Sequence, residues 1–273
     1  VASCGASCGI LAVPMLASYM IAHAGWRVGL LVLGASMFVL INVVARFMVR
    51  GPEMKGLLPD GATDASLTDG HDGAPVPDEA DGWTLRQARK TVTLWMFLLA
   101  FAVVLLTVTV PFVHMPFFAR DIGLSAMGGA MAVSVTGLFA LLGSIVLGAL
   151  SDRIGRKAAM VLALSLQLAA FLIFVVANGS VVLYVGAAAF GFFYGGVASL
   201  FPALVGDLFG RTHAGAIGGF IFGCAGILGA WGPALAGYLR DVNGDYRLAF
   251  ILCACAATCA LFGFVFLPRP RPG

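Results

Sequence analysis

Charged residues are scarce in this sequence. Lys, Arg, Asp and Glu make up 11% of its 273 residues, whereas hydrophobic residues make up 60%. So little polar surface cannot solvate a water-soluble globule of this length. The six Cys residues all fall within apolar stretches, and none has the spacing with His that a metal site needs, so they are interpreted as small packing residues.

Long apolar runs recur along the chain, each near the length of about 20 residues that crosses a ~30 Å hydrocarbon layer as a helix. Lipid offers the backbone no hydrogen-bonding partners, so such runs are predicted to be helical. The sequence therefore predicts an all-α membrane protein. Eight stretches are expected to span the membrane: 3–22, 28–49, 92–112, 126–150, 158–176, 181–204, 214–239 and 248–267.

One long polar segment, residues 50–90, separates the second and third stretches and is rich in Gly, Pro, Asp, Ser and Thr. This composition is typical of a flexible linker. Near its end, Thr84 is followed three residues later by Gln87, the spacing of a capping box, which predicts a short helix leading into the third span. The expected organisation is two helices at 1–49, the linker at 50–90 and six helices at 91–273.

The distribution of Lys and Arg predicts the orientation, because these residues accumulate in cytoplasmic loops. If the linker is cytoplasmic, twelve of them lie inside and four outside. The net charge of +3 is explained by this topology, so nothing favours a nucleic-acid partner. The residues expected outside are Arg27, Arg120, Arg240 and Arg247.

Two hairpins of the sequence resemble each other. Pro14 and Pro233 are each followed five residues later by Tyr, then by Gly, an aromatic residue and Arg before a new apolar run. The copies lie about 220 residues apart, the separation expected of the fifth and eleventh spans in a twelve-helix protein built from two six-helix halves. Four spans would then precede this chain.

The loop between the fourth and fifth apolar stretches carries a motif, GALSDRIGRK. Its spacing, G-x-x-x-D-R-x-G-R-K, resembles the loop motif of the major facilitator superfamily, at the position between that family's eighth and ninth helices. This resemblance, which extends along essentially the whole chain, implies the family's fold, with eight of its twelve helices present here. The motif residues are Gly148, Asp152, Arg153, Gly155, Arg156 and Lys157.

Within that superfamily, residues 83–125 and the triplet at 25–27 resemble bacterial monocarboxylate carriers and oxalate/formate antiporters. The resemblance implies a Lys or Arg at membrane depth that holds the substrate carboxylate. Stretches 126–150 and 214–239 contain neither residue. A carboxylate substrate would then need a cation from elsewhere in the protein.

Several charged residues are gating candidates in the loop motif and beside it. The resemblance implies that Asp152 faces a neighbouring helix when the cytoplasmic side is closed. Asp207 and Arg211 have the four-residue spacing of an ion pair on one helix face, and with Arg153 and Arg156 they could form a cluster that breaks as the halves rock. The alternative is that the basic residues only anchor helix ends at anionic lipid.

His114, near the outer end of the third span, is the candidate for proton coupling, because a titratable group at membrane depth is a functional candidate by default. The alternative is a structural histidine hydrogen-bonded to a neighbouring carbonyl. Arg120 and Asp121 are expected to form an ion pair in the outer loop, and Arg120 is also a candidate for steering anions.

Aromatic residues supply candidates for the substrate cavity. Tyr194 lies in the run from Phe190, among Gly191, Gly195 and Gly196, where either a cavity wall or close helix packing would account for the glycines. Trp231, before Gly232 and Pro233, is a second candidate, with a place in the lipid-facing aromatic belt as the alternative.

The sequence and the resemblance together predict a secondary active transporter of a small organic solute. A monocarboxylate or dicarboxylate is expected, moved by proton coupling or exchange, in a monomer of the plasma (inner) membrane with a cytoplasmic C-terminus. A drug or metabolite efflux carrier and a non-transporting, receptor-like member of the fold are the alternatives. No enzyme motif, cofactor or metal site is recognised.

Overall fold

The computed structural model describes residues 4–47, 82–268 and 270, and this part of the chain contains helices and no strand. The prediction of an all-α protein is confirmed. Nine helices are found there: α1 (Cys4–Phe47), α2 (Leu85–Ala88), α3 (Val92–Asp121), α4 (Ala126–Ile154), α5 (Arg156–Val176), α6 (Ser180–Phe209), α7 (Ala214–Gly229), α8 (Trp231–Asn243) and α9 (Arg247–Val265).

Seven stretches among the described residues are helical, long and apolar enough to cross a membrane. The first, from Gly5 to Phe47, covers two of the eight predicted stretches. It is interrupted at Gly25, whose φ of 79° and ψ of 162° are not helical. A β-carbon built on Gly29 would lie 3.6 Å from Cγ1 of Ile21, eight residues earlier. Eight residues of straight helix rise about 12 Å, so the chain bends sharply at Gly25, as two separate spans require.

The described residues fall into two compact units, residues 4–18 with 82–268 and 270, and residues 19–47. The first, here called the main unit, holds the candidate site residues. In the second, the large side chains are mostly exposed, among them Leu31 and Phe38.

Close helix packing in the main unit is made by glycine. Gly191 of α6 lies against the carbonyl of Thr136 in α4, and one turn later Gly195 lies against the carbonyl of Ala140. A side chain at either glycine would overlap these backbone atoms, so α4 and α6 could not approach each other so closely. Of the two explanations for the glycines around Tyr194, helix packing is the one that the structure supports.

Aromatic side chains fill the interior between the helices. Phe97, Phe171, Phe174, Phe190 and Phe250 are all fully buried, and the rings of Phe174 and Phe250 lie 5.2 Å apart. Such contacts between aromatic rings add to the packing that holds helices together in lipid.

The predicted capping box is confirmed at the start of α2. The hydroxyl of Thr84 accepts from the backbone N–H of Gln87, and the Gln87 side chain accepts from the backbone N–H of Thr84. The backbone N–H of Trp83 donates to the carbonyl of Phe209, at the end of α6. Residues at the end of the predicted linker are thus fixed onto the main unit.

Candidate functional site

Two ends of the main unit carry polar side chains. At the first, here called the Arg156 end, α4, α6 and α9 end and α5 and α7 begin. At the second, the His114 end, α3 and α8 end and α9 begins. The predicted gating residues lie at the Arg156 end, and His114, Arg120 and Asp121 lie at the other.

Gly155 of the loop motif forms the turn between α4 and α5. Its φ is 87°, a conformation that favours glycine, and its N–H donates to the carbonyl of Ser151. Because α5 begins at the next residue, the turn places Arg156 beside the end of α6. Nη1 of Arg156 lies 2.6 Å from Oδ1 of Asp207 and 2.9 Å from the carbonyl oxygen of Ala203.

Lys157 makes a second connection at this end, because its Nζ donates to the carbonyl of Leu267, just past α9, at 2.8 Å. The motif therefore joins the start of α5 to the ends of α6 and α9. Gly148 lies further into α4, where a β-carbon would be 3.8 Å from Oγ of Ser199. Asp152 and Arg153 are exposed, and neither forms an ion pair with another described residue.

The expected ion pair between Asp207 and Arg211 is not formed. Helix α6 ends at Phe209, and Gly210, with φ of 83°, carries the chain out of the helix before Arg211. The four-residue spacing brings two side chains together only on a continuous helix. Asp207 is instead paired with Arg156, 51 residues earlier in the chain.

His114 is held at both ring nitrogens at the other end of the unit. Its Nε2 lies 2.9 Å from the carbonyl oxygen of Pro233 in α8, and its Nδ1 lies 2.9 Å from the hydroxyl of Tyr246, just before α9. A carbonyl can only accept, so Nε2 carries a hydrogen and donates it. The contact to a carbonyl matches the structural alternative given for His114, whereas Tyr246 was not predicted.

The expected ion pair between Arg120 and Asp121 is also absent. Adjacent residues on a helix point about 100° apart, and Asp121 faces α8, where it accepts from Arg240 at 3.1 Å. Arg120 is exposed, and no ion pair to it is found among the described residues. Asp121 and Arg240 thus connect α3 and α8.

The junction of α7 and α8 explains why α3 packs there so closely. Pro233 has no N–H, so the carbonyl of Gly229 loses its usual helical donor. Oγ1 of Thr109 in α3 lies 3.0 Å from that carbonyl oxygen and satisfies it. A β-carbon on Gly232 would overlap the carbonyl of Leu106 and come within 2.7 Å of Oγ1 of Thr109.

The two aromatic candidates have different surroundings. Tyr194 is half-buried, and its ring meets that of Phe112 edge to face at 4.9 Å. No hydrogen bond of its hydroxyl to another described residue is found. Trp231 is 64% exposed and has no ring partner in the described part of the chain. Tyr194 therefore places a polar hydroxyl beside an aromatic neighbour, and Trp231 leaves most of its ring exposed.

Sequence reasoning missed a buried polar pair inside the main unit. Gln167 of α5 is fully buried, and its Nε2 donates to Oγ1 of Thr107 in α3 at 2.9 Å. Its Oε1 has no hydrogen-bond partner among the described residues. A single Gln within an apolar span was the available signal, because polar groups are costly at membrane depth.

The five described cysteines are free thiols, and no group of three or more His, Cys, Asp or Glu residues that could hold a metal is found among the residues described. The polar contacts found here join helices to one another.

Long apolar helices packed through glycine, with charged contacts confined to the helix ends, define a multi-pass integral membrane protein with an all-α fold. Comparison with protein families matches the Major Facilitator Superfamily over residues 1–140 and 108–273. The chain belongs to this superfamily, which places it among transport proteins and not among enzymes.

Individual relatives are more distant. Monocarboxylate transporter 12 of Rattus norvegicus is 26% identical over 98% of this chain, which spans 59% of that protein. Monocarboxylate transporter 13 of Rattus norvegicus is 33% identical over 52% of this chain and 34% of its own length. Monocarboxylate transporter 11 of Homo sapiens is 29% identical over 60% of this chain and 36% of its own length. The chain thus spans less than two thirds of each of these relatives.

Proposed function

We propose that this chain is part of a secondary active transporter that moves a small organic solute, a monocarboxylate or dicarboxylate, by alternating access. The observation that carries the proposal is the contact of Arg156 with Asp207, made by the superfamily's loop motif between two consecutive helices. The names of the three relatives supply the substrate class.

Alternating access needs a contact that forms in one state and breaks in another. The pair of Arg156 and Asp207 suits that role, because its side chains keep 28% and 50% of their exposure and water can replace the lost bond. An exposed pair contributes up to about 1 kcal/mol. Arg153 and Asp152 are exposed and without an ion pair among the described residues. Arg153 is better suited to anchoring at anionic lipid, and Asp152 to a contact in another state.

The proposed topology keeps the linker, the Arg156 end and the C-terminus in the cytoplasm of a plasma-membrane protein that acts as a monomer. In the cavity, Tyr194 is the proposed polar contact to the solute and Trp231 a second aromatic one. Arg120, exposed at the opposite end, would attract anions to the cavity mouth. His114 is the proposed proton-binding residue.

A carboxylate substrate would need a positive partner at membrane depth. Residues 126–150 and 214–239 contain no Lys or Arg, so we expect that partner to lie outside these two segments. The aromatic surroundings of Tyr194 also suit an uncharged, partly apolar solute. That observation favours an efflux carrier for drugs or metabolites as the second candidate.

The test is uptake of labelled monocarboxylates and oxalate by proteoliposomes that contain the full-length protein, with and without an inward proton gradient. We expect uptake stimulated by the gradient. Asp207→Asn should reduce uptake about two- to fivefold, because losing up to ~1 kcal/mol from one state shifts a two-state equilibrium by about that factor.

Asp207→Glu is the matched control, because it keeps the carboxylate that Arg156 needs, and its uptake should stay close to that of the unmodified protein. If no carboxylate moves under any gradient while the protein is folded, the substrate class is wrong. Movement of uncharged drug-like solutes would then support the second candidate. Equal loss in both Asp207 variants would contradict the gating role.

A further inference from the structure

The polar contacts at the His114 end form one cluster across three helices. His114 of α3 contacts Pro233 of α8 and Tyr246, which precedes α9, while Asp121 of α3 pairs with Arg240 of α8. The neutral histidine has one hydrogen, which Nε2 uses toward the Pro233 carbonyl. Nδ1 is then an acceptor, so the Tyr246 hydroxyl donates to it. The geometry thus defines both the tautomer and the direction of the bond.

Tyr246 is placed to respond when that direction changes. It is 3% exposed, and its ring contacts those of Phe118 and Phe250, with centroids 6.0 and 6.2 Å away. Burial raises the pKa of its hydroxyl, Asp121 raises it further, and Arg240 opposes both. Tyr246 therefore remains a neutral hydroxyl, within electrostatic range of the pair formed by Asp121 and Arg240.

The formal charges near the cluster are balanced, so the groups nearest to His114 determine how readily it binds a proton. Asp245 is engaged with the backbone N–H of Arg247, and Asp241 contacts Arg240. Among the described residues of the main unit, the titratable and charged groups at this end are Arg120 and Asp121 of α3, Tyr184 of α6, Tyr238, Arg240 and Asp241 of α8, and Asp245, Tyr246 and Arg247 at the start of α9.

We propose that His114 and Tyr246 form a proton-binding latch between α3 and the start of α9, tied to α8 by the bond from His114 to Pro233. Tyr246 is its positioning residue, and Asp121 acts on the latch through its charge. A proton from bulk water would bind at Nδ1 of His114, which then donates to the Tyr246 oxygen. The Tyr246 hydrogen then turns away from the imidazole ring, and the negative charge of Asp121 favours the added proton while Arg240 opposes it.

Proton binding in this latch reverses the hydrogen bond between α3 and the residue before α9, while the bond from Nε2 to the Pro233 carbonyl is kept. The latch rests on the proposed function only for its consequence in transport, because proton binding itself can be observed without transport. Imidazole suits the role, since its charge changes within the physiological pH range.

The test is nuclear magnetic resonance of the full-length protein in nanodiscs, with ¹⁵N-labelled histidine and a titration from pH 4 to 9. His114→Gln assigns the His114 signal by difference. We expect the Nε2–H tautomer at high pH. Tyr246→Phe should move the titration midpoint about half to one unit lower, because the charge-assisted bond of the imidazolium is stronger than the bond it replaces.

Two further variants should shift the His114 titration midpoint in opposite directions. Asp121→Asn should lower the midpoint, because the carboxylate that favours the imidazolium is lost. Arg240→Gln should raise it, because a repelling cation is lost and Asp121 is released. His213→Gln is the control: His213 is exposed, and the His114 signal should not change.

An Nδ1–H tautomer, or shifts of the same sign in Asp121→Asn and Arg240→Gln, would overturn the latch. Proteoliposome uptake then separates the two proposals. If the midpoints shift as expected and the pH dependence of uptake follows them, the latch couples protons to transport. If the midpoints shift but no solute moves, the latch is supported and the proposed function is wrong.

Discussion

The two ends of the main unit are held together in different ways. At the Arg156 end, a charged pair and a lysine bonded to a carbonyl connect helix ends that are open to solvent. Along the contact of α3 with α8 that leads to the His114 end, glycine contacts and a hydroxyl bonded to the Gly229 carbonyl connect the two helices. At that end, a histidine bonded at both ring nitrogens joins partly buried surfaces, and an exposed ion pair, Asp121 with Arg240, lies on the same two helices. Exposed ion pairs contribute little and break easily, whereas unsatisfied buried groups are costly. The comparison indicates that the Arg156 end is the easier one to open.

The largest change in stability is expected from substituting the glycines, which tests the comparison directly. Gly232→Ala should destabilise the protein by about 1–3 kcal/mol or prevent folding, because the new methyl group would overlap the carbonyl of Leu106. Gly148→Ala, at the Arg156 end, has room beside Ser199 and should stabilise α4 by about 0.5–1 kcal/mol. Unfolding in mixed detergent micelles measures both. Equal effects in the two variants would mean that the contact of α3 with α8 is packed no more closely than the surroundings of Gly148.

An intermediate effect is expected from Thr109→Val, which removes the donor to the Gly229 carbonyl and should cost about 1–2 kcal/mol. Thr258→Val is the matched control, because Thr258 donates only to the carbonyl of Ala254 within its own helix. That variant should change stability by less than about 0.5 kcal/mol. The same unfolding titration measures both variants. If Thr109→Val left the stability unchanged, another group would have to donate to the Gly229 carbonyl.

The smallest effect is a loss of stability at alkaline pH. The folded pKa of Tyr246 is raised above its ordinary value of 10.0. The folded protein therefore holds this proton more tightly, which adds stability below pH 10 that is lost as pH rises through the folded pKa. In Tyr246→Phe, the melting temperature should fall less steeply between pH 8 and 11 than in the unmodified protein. An unchanged slope would show that other groups cause it.

Much of the fold follows from local sequence. The apolar stretches, the break at Gly25 and the capping box of Thr84 and Gln87 each depend on residues close together in the chain, and all are found in the structure. The motif's location between α4 and α5 is likewise a local property. Whether its residues gate transport stays a prediction, as do the linker's role and the orientation.

Partners distant in the chain were not predictable. His114 meets Tyr246, 132 residues later, and Asp121 meets Arg240, 119 residues later. Spacing in the sequence suggested Arg211 for Asp207 and Arg120 for Asp121, and both expectations were wrong. The end of α6 at Gly210 and the facing of α3 toward α8 decided the actual pairs.

The sequence by itself determined that this is a helical membrane protein, because hydropathy and backbone hydrogen bonding leave few alternatives to helices in lipid. The loop motif and the family match, both properties of the sequence, assign it to the Major Facilitator Superfamily. Only the tertiary structure decided which side chains meet at each end and which carbonyls lack a helical donor. Helix crossings bring together residues from remote parts of the chain, and these crossings depend on where glycine allows two backbones to touch.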